Sequence, residues 1–229
     1  MTASRILKRL ARARRGIAAT EFALVLPFLL GAGLMGLEVA NRALVQMQVS
    51  QLAAHLADNA ARIGDTSTLE DRKIYESDVN DLLLGAAIQG GKRIDLYNHG
   101  RVIISSLEVV PGTESQQYIH WQRCYGAKNH VSSYGEEGDG AAGGLAGMGP
   151  AATTVTAFKD EAVIFVEIAY DYQSLVGSTF GFADRVSAIS SFPVRDNRDL
   201  AQIYQRDPAD PAPVATCDKF DVSTLGLAG

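Results

Sequence analysis

Residues 22–37 are sixteen consecutive uncharged and mostly apolar side chains, framed by Glu21 and Glu38. No other feature limits so tightly what this chain can fold into. With the flanks at 17–20 and 39–40 the stretch reaches 24 residues. As an α-helix that is about 36 Å, enough for a hydrocarbon core of roughly 30 Å. A transmembrane helix is expected over residues 17–40.

Charge orients it. Residues 1–16 contain Arg5, Lys8, Arg9, Arg12, Arg14 and Arg15 and no acid, a balance of +6 within a chain of net −5, so residues 17–229 carry −11. An acidic body argues against nucleic acid as a partner. A basic leading flank matches the inner face of a membrane, which puts the N-terminus in the cytoplasm and the main body outside. A cleaved secretory signal is the competing reading. Its apolar stretch is normally shorter and starts without an acid, and Glu38-Val39-Ala40 is a poor cleavage site. The two cysteines, Cys124 and Cys217, suit an oxidising exterior in which an even pair can close one disulfide. Two free buried thiols are the other reading.

The start of the span is unusual in its own right. It reads Arg14-Arg15-Gly16-Ile17-Ala18-Ala19-Thr20-Glu21-Phe22. An acid costs roughly +2.5 to +3.5 kcal/mol at mid-helix and less near the interface, so acids inside a membrane tend to be kept for a use.

Several residues in fixed order narrow that use. They are Gly16, Glu21-Phe22, the run Ala23-Leu24-Val25-Leu26-Pro27, Glu38 with Arg42, and Asn59-Ala60-Ala61-Arg62. In these, residues 16–62 resemble the TadE/TadG-like family, small pseudopilins of the tight-adherence (Flp-type) pilus machinery. Trp121-Gln122-Arg123-Cys124 and Tyr170-Asp171-Tyr172 are similar to the family's periplasmic part. The larger relatives carry a metal site beginning Asp-x-Ser-x-Ser. Asp221-Val222-Ser223-Thr224-Leu225 lacks the second serine, so the resemblance is TadE-like rather than TadG-like.

The resemblance implies a minor pseudopilin of the bacterial inner membrane, single-pass, with a periplasmic C-terminal domain. Its implied partners are the membrane, a prepilin peptidase, other pilins or pseudopilins and the pilus assembly machinery. It implies a cut between Gly16 and Ile17 that removes the basic leader. Ile17 would then present an ammonium one helical turn from Glu21, which can pair with it or with that of a neighbouring subunit. In low dielectric such a partner offsets much of the cost of a buried carboxylate. An uncleaved membrane-anchored scaffold or binding subunit of the same apparatus is the alternative.

Beyond the span, Glu38 and Arg42 have the i,i+4 spacing and orientation of an interfacial ion pair. Val45, Val49, Leu52, Leu56, Ala60 and Ile63 continue one apolar stripe over residues 41–63, ending at Gly64 as a C-cap. Residues 64–229 are expected to form an α+β domain with a small antiparallel sheet packed on the first helix. Within it, Ser67-x-x-Glu70 suggests a capping box opening a helix over 69–87, stopped at Gly90-Gly91. Strands are expected over 101–110, 116–125, 161–173 and 187–194. In the third, Ile164, Val166, Ile168, Tyr170 and Tyr172 should face the core.

Residues 128–153 hold seven glycines without a phosphate-loop ending or calcium-loop spacing, and read as a solvated flexible loop. Residues 207–216 form an extended tail that Cys217 would pin. His55, His99, His120 and His130 lack metal-ligand spacing, and no Gly-x-Ser-x-Gly elbow occurs. No cofactor, metal or catalytic residue is assigned, and a structural protein rather than an enzyme is expected.

Overall fold

The structure, a computed structural model, describes residues 15–65, 70–177 and 185–222. Its elements are α1 (Arg15–Ala60), α2 (Glu76–Ile94), α3 (Leu96–His99), β1 (Gly100–Val109), β2 (Gln117–Tyr125), β3 (Ala162–Asp171) and β4 (Arg185–Pro193). The strands form one antiparallel four-stranded sheet in the order β2-β1-β3-β4. The architecture is α+β, a long apolar N-terminal helix followed by a small sheet. Two compact units are distinguished: residues 1–43 with 174–182, and residues 44–173 with 183–229.

In the first unit, α1 runs through Pro27 and exposes nearly every large apolar side chain it carries, with Phe28 at 80 %. The helix is long and apolar enough to cross a membrane and lies near the N-terminus. Of the basic leader, residues 1–14 lie outside the described residues.

In the second unit the stripe on α1 is buried, from Val45 and Val49 through Leu52 and Leu56 to Ala60, with Ile63 packed at its end. It meets Ile164, Val166, Ile168, Tyr170 and Tyr172 of the β3 region, together with Val102 and Ile104 of β1. Each fully buried aliphatic side chain in such a layer contributes about 1.5–3 kcal/mol. The helix ends at Ala60, four residues before Gly64. Its last carbonyls are capped from a distance. Arg198 donates from one guanidinium nitrogen to the oxygens of Ala60 (3.1 Å) and Ile63 (2.8 Å), a favourable use of a cation at a helix C-terminus.

The second helix starts later than its sequence signal. Ser67 lies outside the described residues, and α2 begins at Glu76, where the Asp78 carboxylate accepts the Tyr75 N–H at 3.2 Å. Residues 72–75 are committed elsewhere: Arg72 and Tyr75 bridge in parallel to Arg198 and Tyr204 of the tail. The helix also passes the expected stop, reaching Ile94 with a non-helical Gly91 inside it.

The largest departure is on the other face of the sheet. The alternate residues of β3, Val163, Phe165, Glu167 and Ala169, are buried as well. The glycine-rich stretch covers them. Met148, Ala157, Leu107, Ile119, Val163 and Phe165 form a second core, with Leu145 and Val155 against it. The stretch is stitched by backbone bonds between Ile119 and both Gly138 and Asp139, and by a reciprocal pair between Met148 and Val155. At Gly140 a Cβ would collide with the Gln117 carbonyl, and at Gly147 with that of Val155. Both glycines also hold positive φ, so they are there for close approach as well as for turning. The expected flexible loop is therefore a packed layer.

Candidate functional site

Two regions carry the residues that sequence singles out. The first is α1 itself. Gly16 and Ile17 lie in its first turn, and Thr20 Oγ1 donates to the Ile17 carbonyl at 2.8 Å. Glu21 sits one turn beyond Ile17, exposed among exposed Ile17, Phe22, Leu24 and Val25. A carboxylate on such a surface is either in water or waiting for a neighbour. Gly31, Gly33 and Gly36 face open space, with nothing near the position a Cβ would take.

Glu38 makes contacts beyond those its spacing suggests. It is fully buried, and Oε2 accepts the backbone N–H groups of Leu175 (3.0 Å) and Val176 (3.1 Å). Two amide donors thus converge on one oxygen from a segment far along the chain, which the i,i+4 spacing alone could not reveal.

The second region is a cleft of about 610 Å³ in the sheet-bearing unit, lined by Arg101, Gln122, Cys124, His130, Glu137 and Asp218 among others. The Cys124–Cys217 disulfide closes one side of it, with Cα atoms 4.8 Å apart. Arg101 is almost wholly buried beneath the tail. It donates to the carbonyls of Gly126 (3.1 Å), Cys217 (2.7 Å) and Lys219 (2.7 Å), and its guanidinium lies 4.2 Å from the Phe220 ring centre. Burial pushes its pKa down, partly opposed by Asp218. Arg123 reaches Glu76 at 2.5 Å, a buried pair that ties β2 to the start of α2.

A serine, a histidine and a glutamate meet at the cleft, so a hydrolytic arrangement has to be tested. His130 Nε2 lies 2.8 Å from Glu167, but Ser132 Oγ donates to that same carboxylate at 3.0 Å, and Ser133 adds its N–H. Ser132 Oγ also accepts the Tyr134 N–H at 3.2 Å. A nucleophile must be bonded to its base; here both bond to the acid. The group anchors the glycine-rich layer to β3. Buried Glu108 is held from within the sheet instead, by Ser106 of β1 (2.7 Å) and His120 of β2 (2.9 Å). A bulge at His120 makes that contact, since Ser106 pairs with Trp121 and Leu107 with Ile119. Both cysteines are consumed by the disulfide. Among the described residues no group of three or more His, Cys, Asp or Glu side chains is placed to hold a metal.

Sequence reasoning found the disulfide pair, since only two cysteines exist to be joined. It missed Glu108, Glu167 and Arg101. The signal available for Glu167 was its position amid eight apolar or aromatic neighbours on one strand, with no room for a free charge. No family model, no curated protein and no solved structure matches the chain.

Proposed function

We propose that this protein is a membrane-inserted minor pseudopilin of the TadE-like kind, acting in assembly of a Flp-type pilus rather than in catalysis. The observation that carries the reading is α1. An apolar surface exposed from Ile17 to Leu37 opens with a lone carboxylate, and the same helix supplies a buried stripe from Val45 to Ala60. A helix apolar all round belongs in lipid or against other helices. In the proposed sequence of events the basic leader holds the N-terminus inside. A prepilin peptidase cuts after Gly16, and Glu21 then pairs with the new Ile17 ammonium of its own or a neighbouring subunit. The disulfide supports an extracytoplasmic body.

Mass spectrometry of the mature N-terminus from peptidase-competent cells tests the processing step. Ile17 as first residue supports it, and an intact leader sinks it. Glu21→Ala should spare insertion but lower piliation; unchanged piliation removes the role given to Glu21. One observation favours the second reading, an uncleaved single-pass anchor of the same apparatus. The Gly16–Ile17 bond lies within the helix, and must unwind before a peptidase can reach it.

A further inference from the structure

The segment that Glu38 holds is itself apolar. Leu175 and Val176 donate their N–H groups to one oxygen of a fully buried carboxylate, yet the Leu175 side chain is 62 % exposed. Residues 174–177 belong to the same compact unit as the apolar half of α1. The whole stretch 173–183 has no charged side chain, in a chain otherwise rich in them. Alongside Glu38 the helix exposes Leu34, Met35, Leu37 and Val39. Buried carboxylate, fixed backbone and outward leucine thus make one surface with the end of the apolar helix.

We propose that residues 174–177 are a second membrane contact, a short uncharged stretch whose Leu175 side chain is seated in the outer leaflet of the bilayer and whose backbone is fixed there by Glu38. The occupant of the surface is lipid. Glu38 lies 21 residues after Ile17, about 31 Å along a helix, so a bilayer core of roughly 30 Å that begins near Ile17 ends at the level of Glu38. At that level a buried carboxylate is compatible with its depth because its charge is met by two amide donors. An uncharged, leucine-bearing loop would be drawn toward the acyl boundary by its exposed apolar area. The inference rests on the membrane-spanning reading of α1.

The test uses the full-length protein with its disulfide intact, in phosphatidylcholine–phosphatidylglycerol vesicles. Leu175→Cys and, separately, Leu30→Cys carry an environment-sensitive fluorophore. Lipids bearing a nitroxide near the headgroup or deep in the chain serve as quenchers, with iodide as the aqueous one. Expected is blue-shifted emission at both positions, with the label at 175 quenched best by the shallow nitroxide and that at 30 by the deep one. If 30 is lipid-quenched while 175 answers to iodide, the loop stays in water and the inference is overturned with the span intact. A label at 175 shielded from both quenchers means protein covers it, which also overturns lipid as the occupant. Iodide quenching at 30 overturns the span and the inference together.

Discussion

The two faces of the sheet are covered by opposite means. On one face, helices bring large aliphatic side chains at regular spacing, and Val49, Leu52 and Leu56 fill space against Ile164, Val166 and Ile168. On the other, a stretch with little regular structure lies so close that two of its glycines have backbone where a Cβ would be. There, the buried carboxylate of Glu167 on β3 gathers hydroxyl, amide and imidazole donors. The helical face is held by volume, which is non-directional. The glycine-rich face is held by close approach and directed bonds. It follows that the first should forgive changes of shape and the second should not forgive even a methyl group.

The largest effect should come from the covalent staple at the cleft. Cys124 and Cys217 are 93 residues apart, so converting both to serine should cost about 4 to 5 kcal/mol if loop-closure entropy dominates. Denaturant titration of the full chain, with and without reductant, measures it. Loss of the tail's protection before that of β1 and β3 in hydrogen exchange is expected. Simultaneous loss everywhere would mean the tail is no separate layer.

Next comes the helical face. Leu52→Ala should destabilise by about 2–5 kcal/mol, while Leu52→Met should cost below about 1.5 kcal/mol, because a volume-conserving swap leaves no cavity. The glycine-rich face should respond the other way round. Gly140→Ala adds one carbon at φ +86° against the Gln117 carbonyl, and overpacking of this kind costs about 1–3 kcal/mol. The same change at Gly31, where nothing is near, should leave thermal unfolding of the sheet unmoved. A tolerated Gly140→Ala would erase the distinction between the faces.

Much of the helical face was readable in advance because its signal is periodic. A spacing of three and four from Val45 onward can serve only one side of a helix, and β3 alternates in a way only a strand can use. The glycine-rich layer defeated the same reading because composition does not separate glycine used for freedom from glycine used for proximity. What could have exposed it is the second set on β3. Val163 and Phe165 point away from the helices, and with Leu107 and Ile119 they need cover, which the intervening Leu145, Met148 and Val155 supply. The start of α2 was misread for another reason. Residues 72–75 pair with the tail more than a hundred positions later, and no local capping signal reports a competitor so distant. Glu38 belongs to the same class, since its partners come from residues 175 and 176.

The smallest effect expected is a pH dependence that belongs to one polar contact between β1 and β2. His120 sits beside Glu108, Tyr118 and Glu137, and its hydrogen bond to Glu108 raises its pKa, with burial opposing. Burial, together with the same carboxylate, pushes Tyr118 up to about 12. A histidine whose pKa is higher folded than unfolded binds its proton more tightly in the folded chain. Its stabilisation is therefore complete below the unfolded value near 6.5 and is lost as pH rises through the folded one. The stability difference between the wild type and His120→Gln should be greatest at mildly acid pH and shrink above about pH 6.5. Leu52→Ala should show a difference from wild type that does not follow this curve, since volume carries no proton. Denaturation midpoints of the three proteins across that range would decide it. A flat His120→Gln difference would mean that Glu108 is held by Ser106 and the bulge geometry without help from the imidazolium.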